Sequence, residues 1–143
     1  MTLGITLDQA RTIVAGTRAA GVEHGLKPLT VVVLDAGGHV VAVEREDGAS
    51  NQRFEVAYGK AHGALALGIG SRALMTRAEQ QPSFIAAVTQ SVGALVPVPG
   101  GVLVRDADGA LLGAVGVTGD TSDNDEAAAL AGIGSAELAG QAD

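Results

Sequence analysis

Apolar and small residues recur with a helical period at Ala10, Ile13, Val14, Thr17 and Gly21, and Thr6 with Gln9 three residues later has the form of a capping box. This spacing predicts an amphipathic helix over 7–24. The pattern then changes to the β-branched run LTVVVLD at 29–35 and the partly alternating VVAVERE at 40–46. The turn-forming AGGH between them predicts an antiparallel hairpin. A helical period returns at 50–68, where Phe54, Ala57, Ala61, Ala64, Leu65 and Gly68 share a side; its small residues suit close packing. Residues 71–92 are broken by Ser and Pro and flanked by Gly, with a short helical pattern over 83–90. A second hairpin is expected from VLVR at 102–105, the turn DADG and a strand over 111–118, then a helix over 123–134. The tail from Gly140 is expected to fray.

The two hairpins echo one another. Asp35-Ala36-Gly37-Gly38-His39-Val40 matches Asp106-Ala107-Asp108-Gly109-Ala110-Leu111 in turn chemistry and in the apolar run that follows, so two similar hairpins are expected in one sheet. Helix, hairpin, helices, hairpin, helix is the order of an α+β fold with helices packed on an antiparallel sheet. A length of 143 residues suits a single domain spanning 1–143.

Composition narrows the chemistry. Aromatic residues are 2% of a chain that is 47% hydrophobic, so the core must be built from Val, Leu, Ile and Ala. A net charge of -7 would repel phosphate backbones, and no basic run with interleaved aromatics occurs; nucleic acid is not an expected partner. The absence of cysteine removes disulfides, thiolate metal sites and cysteine nucleophiles. No stretch approaches 18 uninterrupted apolar residues and the first residues lack a basic-then-apolar leader, which makes a cytoplasmic protein without membrane partners the expectation.

Three groups of residues are candidates for a site. Gly113, Gly116 and Gly119 punctuate the strand ALLGAVGVTG, and Pro99-Gly100-Gly101 precedes it. Such glycines accompany close approach by a ligand or another backbone, and their N–H groups can hold an oxyanion. Among the histidines, His39 falls in a turn and His24 at a helix end, where an imidazolium suits the helix dipole. His62 shares a helical face with Tyr58 and can ligate a metal or haem iron, or transfer protons. Arg53, Lys60 and Arg105 are the cations expected to face a ligand carboxylate. The carboxylates Asp120, Asp123, Asp125 and Glu126 crowd the start of the last helix beyond what its dipole needs, yet lack the spacing of an EF-hand.

Several runs carry a family resemblance. Pro99-Gly100-Gly101, Gly113-Ala-Val-Gly-Val-Thr-Gly-Asp120 and the Asp125-Glu126 pair before an alanine-rich helix resemble the C-terminal half of the GlcG/HbpS-like family, which includes the C-terminal domain of PduO-type proteins. Thr6-Leu7-Asp8-Gln9-Ala10, Val33-Leu34-Asp35-Ala36-Gly37-Gly38, Asp47-Gly48-Ala49, Ala57 and Lys60-Ala61 extend the likeness over about residues 3–138. It implies a profilin-like fold with about five antiparallel strands, a homo-oligomer, and a small-ligand module for haem or a related tetrapyrrole such as a corrinoid. His62 or His24 would be the axial ligand, with Arg53, Lys60 or Arg105 on propionates and Gly100, Gly101, Gly119 and Glu126 lining the site. His62-Gly63 departs from the family, whose members more often carry an aromatic or polar residue and then threonine. The alternative is a small cofactor-independent enzyme of isomerase or lyase type. It would move a proton on a carboxylate or hydroxy-carbonyl metabolite with Lys60 or His62 as base, together with Asp125 and the glycine N–H groups. No nucleophile elbow, Walker loop or zincin motif offers another chemistry.

Overall fold

The computed structural model describes residues 4–143. The capping box forms as the sequence predicts: Thr6 Oγ1 accepts from the Gln9 N–H and Gln9 Oε1 accepts from the Thr6 N–H, which starts α1 (Leu7–Glu23). Strands β1 (Thr30–Asp35) and β2 (Val40–Arg45) follow, then α2 (Arg53–Leu67), α3 (Ser71–Gln80), α4 (Pro82–Val92), β3 (Gly101–Arg105), β4 (Leu111–Thr118), α5 (Ser122–Ser135) and β5 (Ala139–Gln141). The strands make one sheet in the order β2-β1-β4-β3-β5, antiparallel throughout, and the fold is α+β.

The two hairpins are built alike. Asp35 Oδ1 accepts from the N–H groups of Gly37 and His39, and Asp106 Oδ1 accepts from those of Asp108 and Ala110. Each turn closes through a glycine with positive φ, 85° at Gly38 and 83° at Gly109, a backbone that an L side chain strains. Each hairpin also shifts register once beside its turn, after Val33 and after Val104.

β1 reads as a continuous apolar run because both of its faces are covered. On one face Val31, Val33, Val102, Val104, Val115 and Val117 meet α1 and α5 through Ile13, Val14, Ala129 and Ile133. On the other, Val32, Leu34, Leu103 and Ala114 meet Ala57, Ala61 and Ala64 of α2. Aliphatic and alanine side chains bring these layers close. A Cβ at Gly116 would lie 1.9 Å from the Ala57 carbonyl oxygen, so this glycine of β4 receives the backbone of α2 and not a ligand.

Two expectations need correction. The break at 71–92 holds two full helices, α3 and α4, which bury Leu74 and Ile85 together with Leu95 of the following loop. The tail is not frayed at Gly140: Ala139–Gln141 add a fifth strand against β3, fixed by Arg105 Nε donating to Gln141 Oε1 at 2.9 Å and by the Gly70 N–H donating to the Asp143 carbonyl oxygen. Among the described residues no helix is long and apolar enough to cross a membrane.

Candidate functional site

Helix α2 organises the candidate residues, because its register sends them to different places. Lys60 lies on the face turned to the sheet and is 2% exposed; its ammonium donates to the Val117 carbonyl at 3.0 Å and to Asp125 Oδ2 at 3.2 Å. Asp125, 1% exposed, accepts the Asp120 N–H on its other oxygen. Burial pushes the Lys60 ammonium below the ordinary lysine range, Asp125 pulls the other way, and nearby Arg53 adds to the lowering. A Cβ at Gly100 would fall 2.8 Å from Nζ, so that glycine closes over the pair. Gly101 gives its N–H to Ser71 Oγ at 2.7 Å, which takes it out of an oxyanion cradle. Lys60 therefore faces Asp125 and not open space, and the pair ties α2, β4 and α5 together. As a proton-transfer pair it would first have to be uncovered.

Arg53, at the start of α2, is half-buried. It donates from Nε to Ser50 Oγ at 3.2 Å and from Nη1 to Thr118 Oγ1 at 2.9 Å. With Gly119 it lines a cleft of about 210 Å³ whose other walls are Lys27, Pro28, Gly48, Ala49 and Ser50. Arg53 and Gly119 are thus the two sequence candidates that the fold brings together beside open space.

His62 lies nine residues further along α2, about 13 Å up the axis and on the opposite side of the helix. It ends an aromatic ladder: Phe54 stacks on Tyr58 with ring centroids 5.8 Å apart, and Tyr58 on His62 at 5.2 Å. Its Nδ1 lies 2.9 Å from the Ala94 carbonyl oxygen. A carbonyl only accepts, so Nδ1 carries a proton, and in the tautomer this selects the ring's lone pair is on Nε2. That edge of the ring lies over Gly38, where a Cβ would sit 3.7 Å from Nε2, in a cleft of about 140 Å³ lined by Ala36, Gly37, Gly38, Leu65 and Ala66.

The remaining candidates are dispersed. His24 caps α1 and borders a cavity of about 60 Å³ against α5. Arg105 is engaged by Gln141 and by the Gly109 carbonyl. Glu126 is held by Arg72, which reaches both its oxygens at 3.0 to 3.2 Å and also pairs with Asp123. That accounts for two of the clustered carboxylates as a clamp between α3 and α5. Arg72 itself carries no sequence signal, since its partners lie more than fifty residues away. Among the described residues no three His, Asp or Glu side chains converge as a metal centre.

Comparison with known proteins places this arrangement. The model of the family described as "Haem degrading protein HbpS-like" matches residues 5–134. The chain belongs to this HbpS-like family. Solved structures similar to this HbpS-like chain include HbpS, at 27% identity and a TM-score of 0.80 over 94% of this chain and 91% of that one. The Klebsiella pneumoniae protein ORFY, of family DUF336, matches at 24% identity and a TM-score of 0.82 over 96% and 93%. A PduOC:heme complex matches in fold at 21% identity and a TM-score of 0.84 over 95% and 97%. No curated protein matches the sequence significantly.

Proposed function

We propose that this protein binds haem or a related tetrapyrrole, with His62 Nε2 as the ligand that the chain gives to the central metal. The hydrogen bond from His62 Nδ1 to the Ala94 carbonyl carries the reading, because it fixes the ring and leaves the ligating nitrogen on the open side. The donor set fits. Among the described residues His62 belongs to no group of three His, Asp or Glu side chains, which suits a metal whose remaining ligands would come from a macrocycle rather than from protein. Membership of a family described as haem-degrading, and a similar fold in a protein solved with haem, support the ligand class. A bound tetrapyrrole would supply a metal centre with redox or small-molecule chemistry. The chain's own part is to orient the imidazole: Tyr58 stacks on one side of it and Ala94 holds its proton.

The cleft beside His62, about 140 Å³, is smaller than a whole tetrapyrrole, so such a ligand held by His62 would extend beyond it. The binding form in this reading is a homo-oligomer, in which a second copy of the chain would cover the rest. Arg53, Lys60 and Arg105 stand away from this cleft and are not needed for it.

Titration with haemin, followed by absorbance, tests the assignment. A saturable Soret shift is expected in the native protein, retained in His24→Ala and lost in His62→Ala with unchanged circular dichroism. Undiminished saturable binding by His62→Ala would overturn it.

A further inference from the structure

We propose a second binding site, for a small organic carboxylate, in the cleft at the N-terminal end of α2, where Arg53 presents the unpaired edge of its guanidinium. The site is independent of the one at His62, which lies at the other end of the same helix.

Charge is the first argument. The protein has sixteen acidic residues against nine lysines and arginines, yet the residues lining this cleft include Lys27 and Arg53 and no acid. Arg18, Lys60 and Arg72 all have carboxylate partners, whereas among the described residues no carboxylate lies within ion-pair distance of Arg53 or Lys27. Asp120 is next to Gly119 in sequence, but its carboxylate is already taken by the N–H groups of Lys27 and Thr121 and by the Asn124 side-chain amide. A half-buried cation without a counter-charge is costly in an acidic protein, and a bound anion removes that cost.

Geometry is the second. A guanidinium has five N–H groups. Ser50 and Thr118 use one each on Nε and Nη1 and hold the plane fixed, which leaves both hydrogens of Nη2 and one of Nη1 for a planar, two-oxygen acceptor. Thr118 Oγ1 accepts from Arg53 and retains its own proton to donate. Thr30, directly opposite Thr118 in the β1–β4 register and therefore on the same sheet face, is fully buried, and its hydroxyl has no partner. Arg53 thus offers the cleft a fixed fork beside the Ser50 hydroxyl, while Pro28, Gly48 and Ala49 give a low apolar wall.

Size sets the class. About 210 Å³ is below the roughly 300–1,000 Å³ of pockets for drug-sized ligands, and suits a molecule of the scale of a short hydroxy- or keto-acid. One fixed fork and one mobile ammonium match a single carboxylate better than a doubly charged phosphate, which calls for more donors.

The test is a titration of the ¹⁵N-labelled native protein with lactate and pyruvate, with inorganic phosphate as comparator, followed by amide shifts. Saturable shifts centred on Gly48, Ala49, Ser50 and Gly119 are expected with lactate or pyruvate. Affinity should fall about tenfold or more in Arg53→Lys, which keeps the charge and loses the fork. Ala49→Phe, which fills the mouth without altering charge, should weaken binding likewise, and His62→Ala should leave it unchanged. Equal shifts with phosphate would overturn the carboxylate assignment. So would absence of saturable shifts at these amides, or binding insensitive to both cleft variants.

Discussion

Replacing Lys60 by methionine keeps most of the side-chain volume and removes the ammonium, leaving the Asp125 carboxylate 1% exposed with one oxygen bare. Breaking a buried pair from one side costs about 3–5 kcal/mol, because the abandoned charge stays desolvated. Against a total stability of about 5–15 kcal/mol this is a large share. For a chain of this size about 3 °C per kcal/mol applies, so the melting temperature should fall by about 9–15 °C. The double variant Lys60→Met with Asp125→Leu removes both charges and should recover most of the loss. It should stay about 1–2 kcal/mol short, since the Asp120 N–H and the start of α5 also lose Asp125 as acceptor. Calorimetry of the three proteins decides the matter: a single variant as stable as the native chain, or a double variant as unstable as the single, would refute the claim that the orphaned charge sets the cost. Titration adds a signed check. The Lys60 pKa is lowered in the fold, so the unfolded chain holds the proton to higher pH, and this residue's contribution to stability rises as pH climbs toward the ordinary lysine value. The difference in stability between native protein and Lys60→Met should therefore widen from pH 8 towards the ordinary lysine pKa of about 10.4.

Gly116→Ala should cost about 3 kcal/mol or more, because the added methyl meets the Ala57 carbonyl, while Gly134→Ala, at an exposed position of α5 with nothing within 4 Å, should stabilise by about 0.5–1 kcal/mol; denaturant midpoints for the pair test whether close approach alone decides what a glycine is worth. The Asp120 carboxyl should titrate at about 2, held down first by the Lys27 N–H and then by Asn124 and Thr121, as read from its carboxyl ¹³C shift. With that sign its link between the α1–β1 loop and the β4–α5 loop is complete above the ordinary aspartate value and is lost as pH falls through 2, so a Lys27 amide shift that changed near pH 4 would contradict it.

What was legible in the sequence is what local chemistry determines. Thr6 and Gln9 are three residues apart and bond to each other, and Asp35 and Asp106 organise turns within four residues of themselves, so their patterns announce the helix start and both hairpins. The α3 segment gives a weak apolar signal because it buries only Ser71 and Leu74, and β5 is a three-residue strand whose holds, pairing with β3 and the Gln141–Arg105 hydrogen bond, lie far back along the chain. The site residues were recognisable as types, but their partners lie far along the chain: Lys60 meets Asp125, and Arg53 meets Thr118, across 65 residues. No spacing rule reaches that distance, and only the register of α2 against β4 decides that Lys60 turns inward while His62 turns out.

The aromatic ladder along α2 has an optical consequence. The chain has no tryptophan and a single tyrosine, and that tyrosine is the ring stacked on His62. Intrinsic ultraviolet fluorescence therefore comes essentially from one ring beside the proposed ligand nitrogen. A coloured ligand arriving there would quench the protein's own emission without any label, whereas lactate in the Arg53 cleft, which does not absorb at those wavelengths, would leave it bright.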